Sequence, residues 1–264
     1  MQGTEALGWR RSVGAGRGTQ RLSEQRTRRQ TRARCARTAQ AAALEPGVGV
    51  FGNKAGMTQI FEDGGSTCTP VTVIKFEGTG NVVTQRRRRP EDGYNALQLG
   101  YGDAKPGRLT KPEQGHLNKA GAPPLSHLEE FRLRYTRQVD EYSVGDVIDP
   151  PSLFQCGDVV DVQGSTIGRG FQGAIKRWNH SRGPESHGSK NIREQGTMGG
   201  RTPKRCVPGR QQAGRMGNRT VKQQRLVVKS IASDHMVVKG NVPGKAGNLL
   251  RITPAKIIGY TVRG

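Results

Sequence analysis

Gly168-Arg169-Gly170-Phe171-Gln172-Gly173-Ala174-Ile175-Lys176-Arg177-Trp178-Asn179 stands near the start of a segment, residues 165–225, that cannot build a core of its own. The segment holds 14 Lys and Arg, 11 glycines and only two acids, Glu185 and Glu194, for a net charge of +12. Its neighbours differ: residues 45–164 carry 13 basic and 16 acidic residues, and residues 226–264 carry six and one. A stretch so cationic and so poor in large apolar side chains repels itself, and it gains order only against something negative. The fold is therefore expected to be a near-neutral body with a basic arm, residues 165–225, looping out of it.

The flanks of the arm read as β-structure. Short alternating or β-branched runs recur at Val48–Phe51, Met57–Phe61, Val71–Phe76, Asn81–Gln85, Ala96–Tyr101, Asp158–Val162, Arg225–Ile231, His235–Lys239 and Leu249–Thr253. Turn residues such as Asp63-Gly64-Gly65, Glu91-Asp92-Gly93 and Ser233-Asp234 separate them. Short strands with tight turns predict a mainly β fold, a barrel or closed sheet. Residues 45–164 supply its first part, and residues 226–264 supply the strands that complete it. One helical connector is predicted inside the first part, because Thr110-Lys111-Pro112-Glu113 spells a capping box with proline in the first turn. It should end near Lys119, before Gly121 and Pro123.

Residues 1–44 are a separate object, with ten arginines, no lysine, two acids (Glu5 and Glu24) and no hydrophobic periodicity. Arginine-rich, acid-poor, hydroxylated N-termini read as organelle transit peptides; a permanent RNA-binding tail is the competing reading. No apolar run approaches the ~20 residues needed to span a bilayer, so no membrane association is expected.

The whole chain has a net charge of +22, with 32% hydrophobic and 5% aromatic residues. That surplus speaks to polyanionic partners, and the thin apolar content means that part of the chain is ordered by them. Cys35, Cys68, Cys156 and Cys206 are scattered without CxxC spacing, and the five histidines are dispersed. No metal site, disulfide framework or cofactor is expected. Catalytic constellations are missing too: there is no Gly-x-Ser-x-Gly, Walker loop or His-Glu-x-x-His, and no small-molecule substrate is expected. One enzyme-like feature competes. Gly168–Gly173 spells G-x-G-x-x-G, with Glu194 at 21 residues past its last glycine. A dinucleotide site needs a parallel βαβ unit whose second strand ends in that acid, and Arg193-Glu194-Gln195-Gly196 has no strand character. A nucleotide-binding or RNA-modifying enzyme is thus the rival reading.

The same residues also make a structural anchor. Phe171, Ile175 and Trp178 fall at i, i+4 and i+7, an apolar stripe expected to dock on the body; Trp178 stacked on a base is the alternative. The cations predicted to meet RNA phosphates are Arg169, Lys176, Arg177, Arg182, Lys190, Arg193, Arg201, Lys204, Arg205, Arg210, Arg215 and Arg219. Arginine offers a planar fork that matches phosphate oxygens. Glycines let backbone approach phosphate, and Pro184, Pro203 and Pro208 limit the entropy lost on ordering. A flexible basic linker is the bland alternative, against which Ile192, Met198, Val207 and Met216 weigh. Arg86–Arg89 forms a second basic cluster, either a solvated loop or a peripheral RNA contact.

Several stretches resemble the bacterial-type large-subunit ribosomal protein three (the L-three family). They include Gly49–Phe61, Pro70–Ile74, Asp92–Gln98, Lys111–His116 and Gly168–Gly173. They continue through Lys176–Asn179, His187–Ser189, Ala213–Gly217 and Val237–Gly244 to Asn248–Lys256, which looks like the cyanobacterial and plastid branch. The resemblance covers about residues 47–259. It implies a translation-factor-type β-barrel with an inserted arm, and partners that are large-subunit rRNA and neighbouring large-subunit ribosomal proteins. It further implies a role early in subunit assembly, with the arm tip, near Gln195–Val207, directed toward the peptidyl transferase centre. With the leader, it points to the plastid (chloroplast) stroma, the mitochondrial matrix being the alternative. The tip departs from the family pattern: it is one residue shorter than in bacterial relatives, Gly200 or Arg201 stands where many carry a methylated glutamine, and Lys204 replaces a glycine. A free basic RNA chaperone is the third reading of the charge pattern.

Overall fold

The computed structural model describes residues 47–256 except 106, 198 and 201–204. The transit-peptide reading of residues 1–44, and the expected RNA contacts Arg201 and Lys204, lie outside the described residues.

The strands are β1 (Val50–Glu62), β2 (Thr67–Lys75), β3 (Asn81–Arg87), β4 (Asn95–Asp103), β5 (Leu125–Leu133), β6 (Val147–Ile148), β7 (Val159–Ser165), β8 (Phe171–Gln172), β9 (Gly214–Arg215), β10 (Thr220–Ile231), β11 (His235–Lys239) and β12 (Leu249–Pro254). Six of them close a barrel in the order β1-β12-β7-β10-β11-β2. Every pairing is antiparallel. Its interior is filled by side chains that alternate along the strands, among them Val50, Ile74, Val160, Val162, Met236, Val238, Leu250 and Ile252, none of them accessible. Burying each such side chain contributes about 1.5–3 kcal/mol. Closure brings backbones close: a Cβ on Gly49 would lie 2.1 Å from the Ile252 carbonyl oxygen.

Residues 81–148, read above as part of the barrel, form a second sheet in the order β5-β4-β3-β6. The physical reason is that this sheet is covered on both faces and needs no closure. One face shares a continuous core with the barrel, in which Phe51 packs against Phe131 at 5.1 Å and Tyr101 at 6.2 Å between ring centroids. The other face receives the helix Lys111–Lys119 through Leu117, with Val82, Leu125 and Ala122 around it. That helix begins as its capping box predicts: the Glu113 carboxylate accepts from the Thr110 N–H and hydroxyl, both at 2.9 Å. These bonds hold Glu113 below the usual carboxylate range.

Three buried polar groups, absent from the sequence reading, tie the body together. The Asn81 side chain accepts from Phe51 N–H at 2.7 Å and donates to Phe51 C=O at 3.2 Å, completing a strand-like pair between the barrel and the second sheet. Lys54 lies beside a bulge in β1 and donates to the Val242 and Gly244 carbonyls, both at 2.9 Å; burial pushes its ammonium below the ordinary lysine value. Asp161 accepts from the N–H of Arg225, where β10 bulges and φ is +58°, and pairs with Lys222 at 3.5 Å.

Candidate nucleic-acid interface

The barrel strands β7 and β10 carry the arm. β10 begins at Thr220, earlier than the Arg225 start read from the sequence, so the excursion runs from residue 166 to residue 219. Its early half, Thr220–Gln224, was invisible because Lys222, Gln223 and Gln224 give no apolar signal.

The arm is a doubled-back ribbon whose two limbs bond to each other. At the root, Thr166 N–H donates to Arg219 C=O at 3.0 Å and Asn218 N–H to Thr166 C=O at 3.2 Å. Arg169 and Met216 continue the ladder, followed by the two-residue pairing of β8 with β9. Further out, the Trp178 indole N–H and the Arg177 guanidinium both donate to Gln212 C=O at 2.8 Å, and the His180 ring meets Gln211 Oε1 at 2.7 Å. Gly183 N–H donates to Ile192 C=O at 2.8 Å, and Arg210 reaches the Thr197 carbonyl. Glycines matter here where limb meets limb. Gly217 has φ +73°, and a Cβ there would sit 2.0 Å from the Ile167 carbonyl oxygen. The sequence reading gave arm glycines to phosphate approach; several serve the arm's own closure instead.

The predicted stripe does not dock. Phe171 is 77% and Trp178 40% exposed, Ile175 is half-buried, and Ala174 is the buried residue of the helix Ala174–Trp178. Gly173 caps this short helix and Phe171 lies before it in β8, so the three side chains share no helical face. Arg177 stacks on the Trp178 ring at 5.1 Å.

The cations behave differently in arm and body. Among the described residues, nine predicted contacts are exposed: Arg169, Lys176, Arg182, Lys190, Arg193, Arg205, Arg210, Arg215 and Arg219; Arg177 is half-buried. Of these ten, Arg182 alone meets a carboxylate among the described residues, Glu185 at 3.1 Å. In the Arg86–Arg89 cluster, by contrast, three of the four side chains have partners on the body, and Arg89 is exposed. Arg87 pairs with Asp92 at 2.7 Å and Glu130 at 3.4 Å, Arg88 with Asp140 at 2.7 Å, and Arg86 donates to Tyr142 C=O. A cleft of about 290 Å³ between β5 and the barrel is a smaller cationic surface, lined by Arg132, Lys222, Arg251 and Lys256. Arg251 there is fixed over the Phe131 ring at 4.2 Å and donates to Glu130 C=O at 2.6 Å.

Gly168–Gly173 offers no phosphate cradle. Its Arg169 N–H is taken by Met216 C=O at 2.9 Å, and its Gly170 C=O by Met216 N–H. The strand pairing around it is antiparallel and the following helix has five residues, so the βαβ unit required of a dinucleotide site is not formed.

Comparison with known proteins agrees with this geometry. The family model for ribosomal protein L3 matches residues 133–231, which span the end of the second sheet, the arm and β10. The chain is 46% identical over 240 residues to the large ribosomal subunit protein uL3c of Nicotiana tabacum, covering 90% of this chain and 91% of that one. The chain belongs to the ribosomal protein L3 family. Other relatives in this family include uL3c of Spinacia oleracea, 48% identical over 83% of this chain and 72% of its own. The cyanobacterial uL3 of Picosynechococcus sp. is 46% identical over 80% of this chain and 98% of its own.

Proposed function

We propose that this L3-family chain is built into the large ribosomal subunit of the plastid, with its barrel and second sheet as a rigid seat and its arm laid into folded rRNA. Family membership makes it a structural constituent of the large subunit, alongside rRNA and other ribosomal proteins, and not an enzyme. The plastid-type names of its relatives from Nicotiana tabacum, Spinacia oleracea and Arabidopsis thaliana assign it to the plastid rather than the mitochondrion.

The finer reading gives the arm cations the task of neutralising phosphate. One observation carries it: nine exposed arm cations stand on a ribbon where, among the described residues, Arg182 alone meets an acid, while Arg87 and Arg88 of the body are paired with Asp92, Glu130 and Asp140. A ribbon held by backbone pairs and glycine contacts is narrow enough to enter a crevice of RNA and needs no core of its own. Exposed Phe171 and Trp178 offer faces for unpaired bases. In this reading Arg201 and Lys204 extend the contact at a tip directed toward the peptidyl transferase centre, the protein acts early in assembly, and residues 1–44 are an import leader.

Excision of the outer arm tests it. The His180 ring and the Gln211 side chain lie 2.7 Å apart, so a short Gly-Ser linker can replace residues 181–210 without straining the ribbon below. The expected result is a folded body with defective subunit assembly; normal assembly would remove the arm's assigned role. Mass spectrometry of the mature protein tests the leader, and retention of Arg10–Arg37 would contradict it.

A further inference from the structure

The outer half of the β1–β2 hairpin shows a surface unlike the rest of the protein. β1 pairs with β12 only over Val50–Asn53, and the last tie on that side is at Lys54, whose N–H donates to Asn248 C=O at 2.9 Å and whose C=O accepts from Gly247 N–H at 2.7 Å. From Ala55 to Glu62, β2 is its strand neighbour, and no strand among the described residues pairs with the opposite edge. A row of backbone donors and acceptors therefore faces outward, a template for one more strand. The register places Gln59 opposite Pro70 and Phe61 opposite Cys68, so Met57, Gln59 and Phe61 share a face. Met57 is 52% and Phe61 60% exposed, with Cys68 and Pro70 exposed beside them. The hairpin is also braced, since Lys229 on β10 holds Glu62 at 2.6 Å.

We propose that this edge docks an extended segment of a neighbouring, basic protein of the subunit, which adds a strand beside Ala55–Glu62 and covers Met57 and Phe61. The proposal rests on the ribosomal reading above. Charge selects the occupant. No Lys, Arg or His occurs from Ala55 to Ile74, in a chain of net charge +22. With Glu62 already held by Lys229, the two strands themselves offer phosphate no cation between Ala55 and Ile74, so RNA is the poorer ligand. A protein embedded in the same polyanion carries surplus cations, and this edge does not repel them. Backbone pairing supplies affinity, while the exposed Met57 and Phe61 side chains supply the apolar contact that selects one partner.

Photocrosslinking in the assembled subunit tests this. A benzophenone amino acid replaces Met57 or Phe61 in the full chain, both exposed enough for the fold to tolerate it, and a third variant carries the probe at Trp178 as an arm reference. Purified large subunits are irradiated, and hydrogen exchange of Ala55–Glu62 is compared between free chain and subunit. The expected result is that the Met57 and Phe61 probes join one other basic large-subunit protein, the Trp178 probe joins RNA, and the open-edge amides lose exchange on assembly. Hairpin probes that join RNA, a second copy of this chain or nothing, while the Trp178 probe joins RNA, overturn the docking proposal and leave the ribosomal reading standing. Absence of all three variants from the subunit fraction overturns both.

Discussion

Lys190, Arg193 and Arg205 are exposed, and none of them meets a carboxylate among the described residues. Replacing all three (Lys190→Gln, Arg193→Gln, Arg205→Gln) removes charge while leaving the ribbon's backbone pairs intact. Each cation that neutralises a phosphate makes the logarithm of affinity fall with the logarithm of salt at a slope of about 0.7–0.9. If the ten described arm cations all face phosphate, the wild-type slope is about −7 to −9. The triple variant should then flatten it by about 2–3, which at fourfold higher salt is a change of roughly 20–60-fold in how much affinity is lost. The assay is fluorescence anisotropy of the labelled large-subunit rRNA domain, titrated with protein between about 50 and 200 mM salt, a span over which phosphate contacts lose several orders of magnitude in affinity. Urea unfolding of the variant provides the control and should show an unchanged midpoint. An affinity that falls with no change in slope, or a slope that stays at the wild-type value, would refute the assignment of these three cations to phosphate.

Four further outcomes follow from the geometry. Asn81→Ala leaves the buried Phe51 N–H and C=O without partners, each costing about 1–3 kcal/mol, so chemical unfolding should register a loss of about 2–6 kcal/mol; a loss under about 1 kcal/mol would mean that water replaces the side chain. Phe171→Ser and Trp178→Ala should leave the body's thermal midpoint where it is, because both rings are exposed, and weaken RNA binding by about 1–3 kcal/mol per stacked base, read by the same anisotropy titration. Gly217→Ala forces a Cβ into the Ile167 carbonyl at a positive φ and should open the arm root, seen as faster amide exchange at Thr166, Arg169 and Met216. Glu113 has its folded pKa depressed by the Thr110 bonds, so its contribution is present above the unfolded carboxylate pKa and is lost as pH falls through the lower, folded value. Accordingly, Glu113→Gln should be less stable than wild type at neutral pH, and the gap should close in acid.

The barrel strands were readable because their periodicity carries the packing: Val71 to Ile74 and Met236 to Val238 supply apolar side chains where the wall faces inward. β5 escaped because Leu125, Phe131 and Leu133 are its only buried positions, and apart from the half-buried Leu128 the rest are polar or charged: Ser126, His127, Glu129, Glu130 and Arg132. β1 read as two strands because Asn53 and Lys54 interrupt the apolar pattern. The structure resolves the interruption into a bulge, with Lys54 turned inward to the carbonyls of Val242 and Gly244. Asn81 and Asp161 gave no warning of their role, since a buried polar side chain is recognised by its partners and those lie 30 and 64 residues away. In the arm, composition located the cations and said nothing of the pairing of its limbs. Backbone bonds such as Gly183 to Ile192 leave no side-chain signature. The apolar stripe failed for a local reason: a period of 3.6 has meaning only within one helix, and Gly173 separates Phe171 from the turn that holds Ile175 and Trp178.

Sedimentation of a plastid extract through sucrose after a high-salt wash tests the central claim most directly. A chain built into the subunit, with its body seated and its arm enclosed by folded RNA, is held by more than salt-sensitive phosphate contacts and should remain in the large-subunit peak. Recovery at the top of the gradient, or with the small subunit, would contradict it.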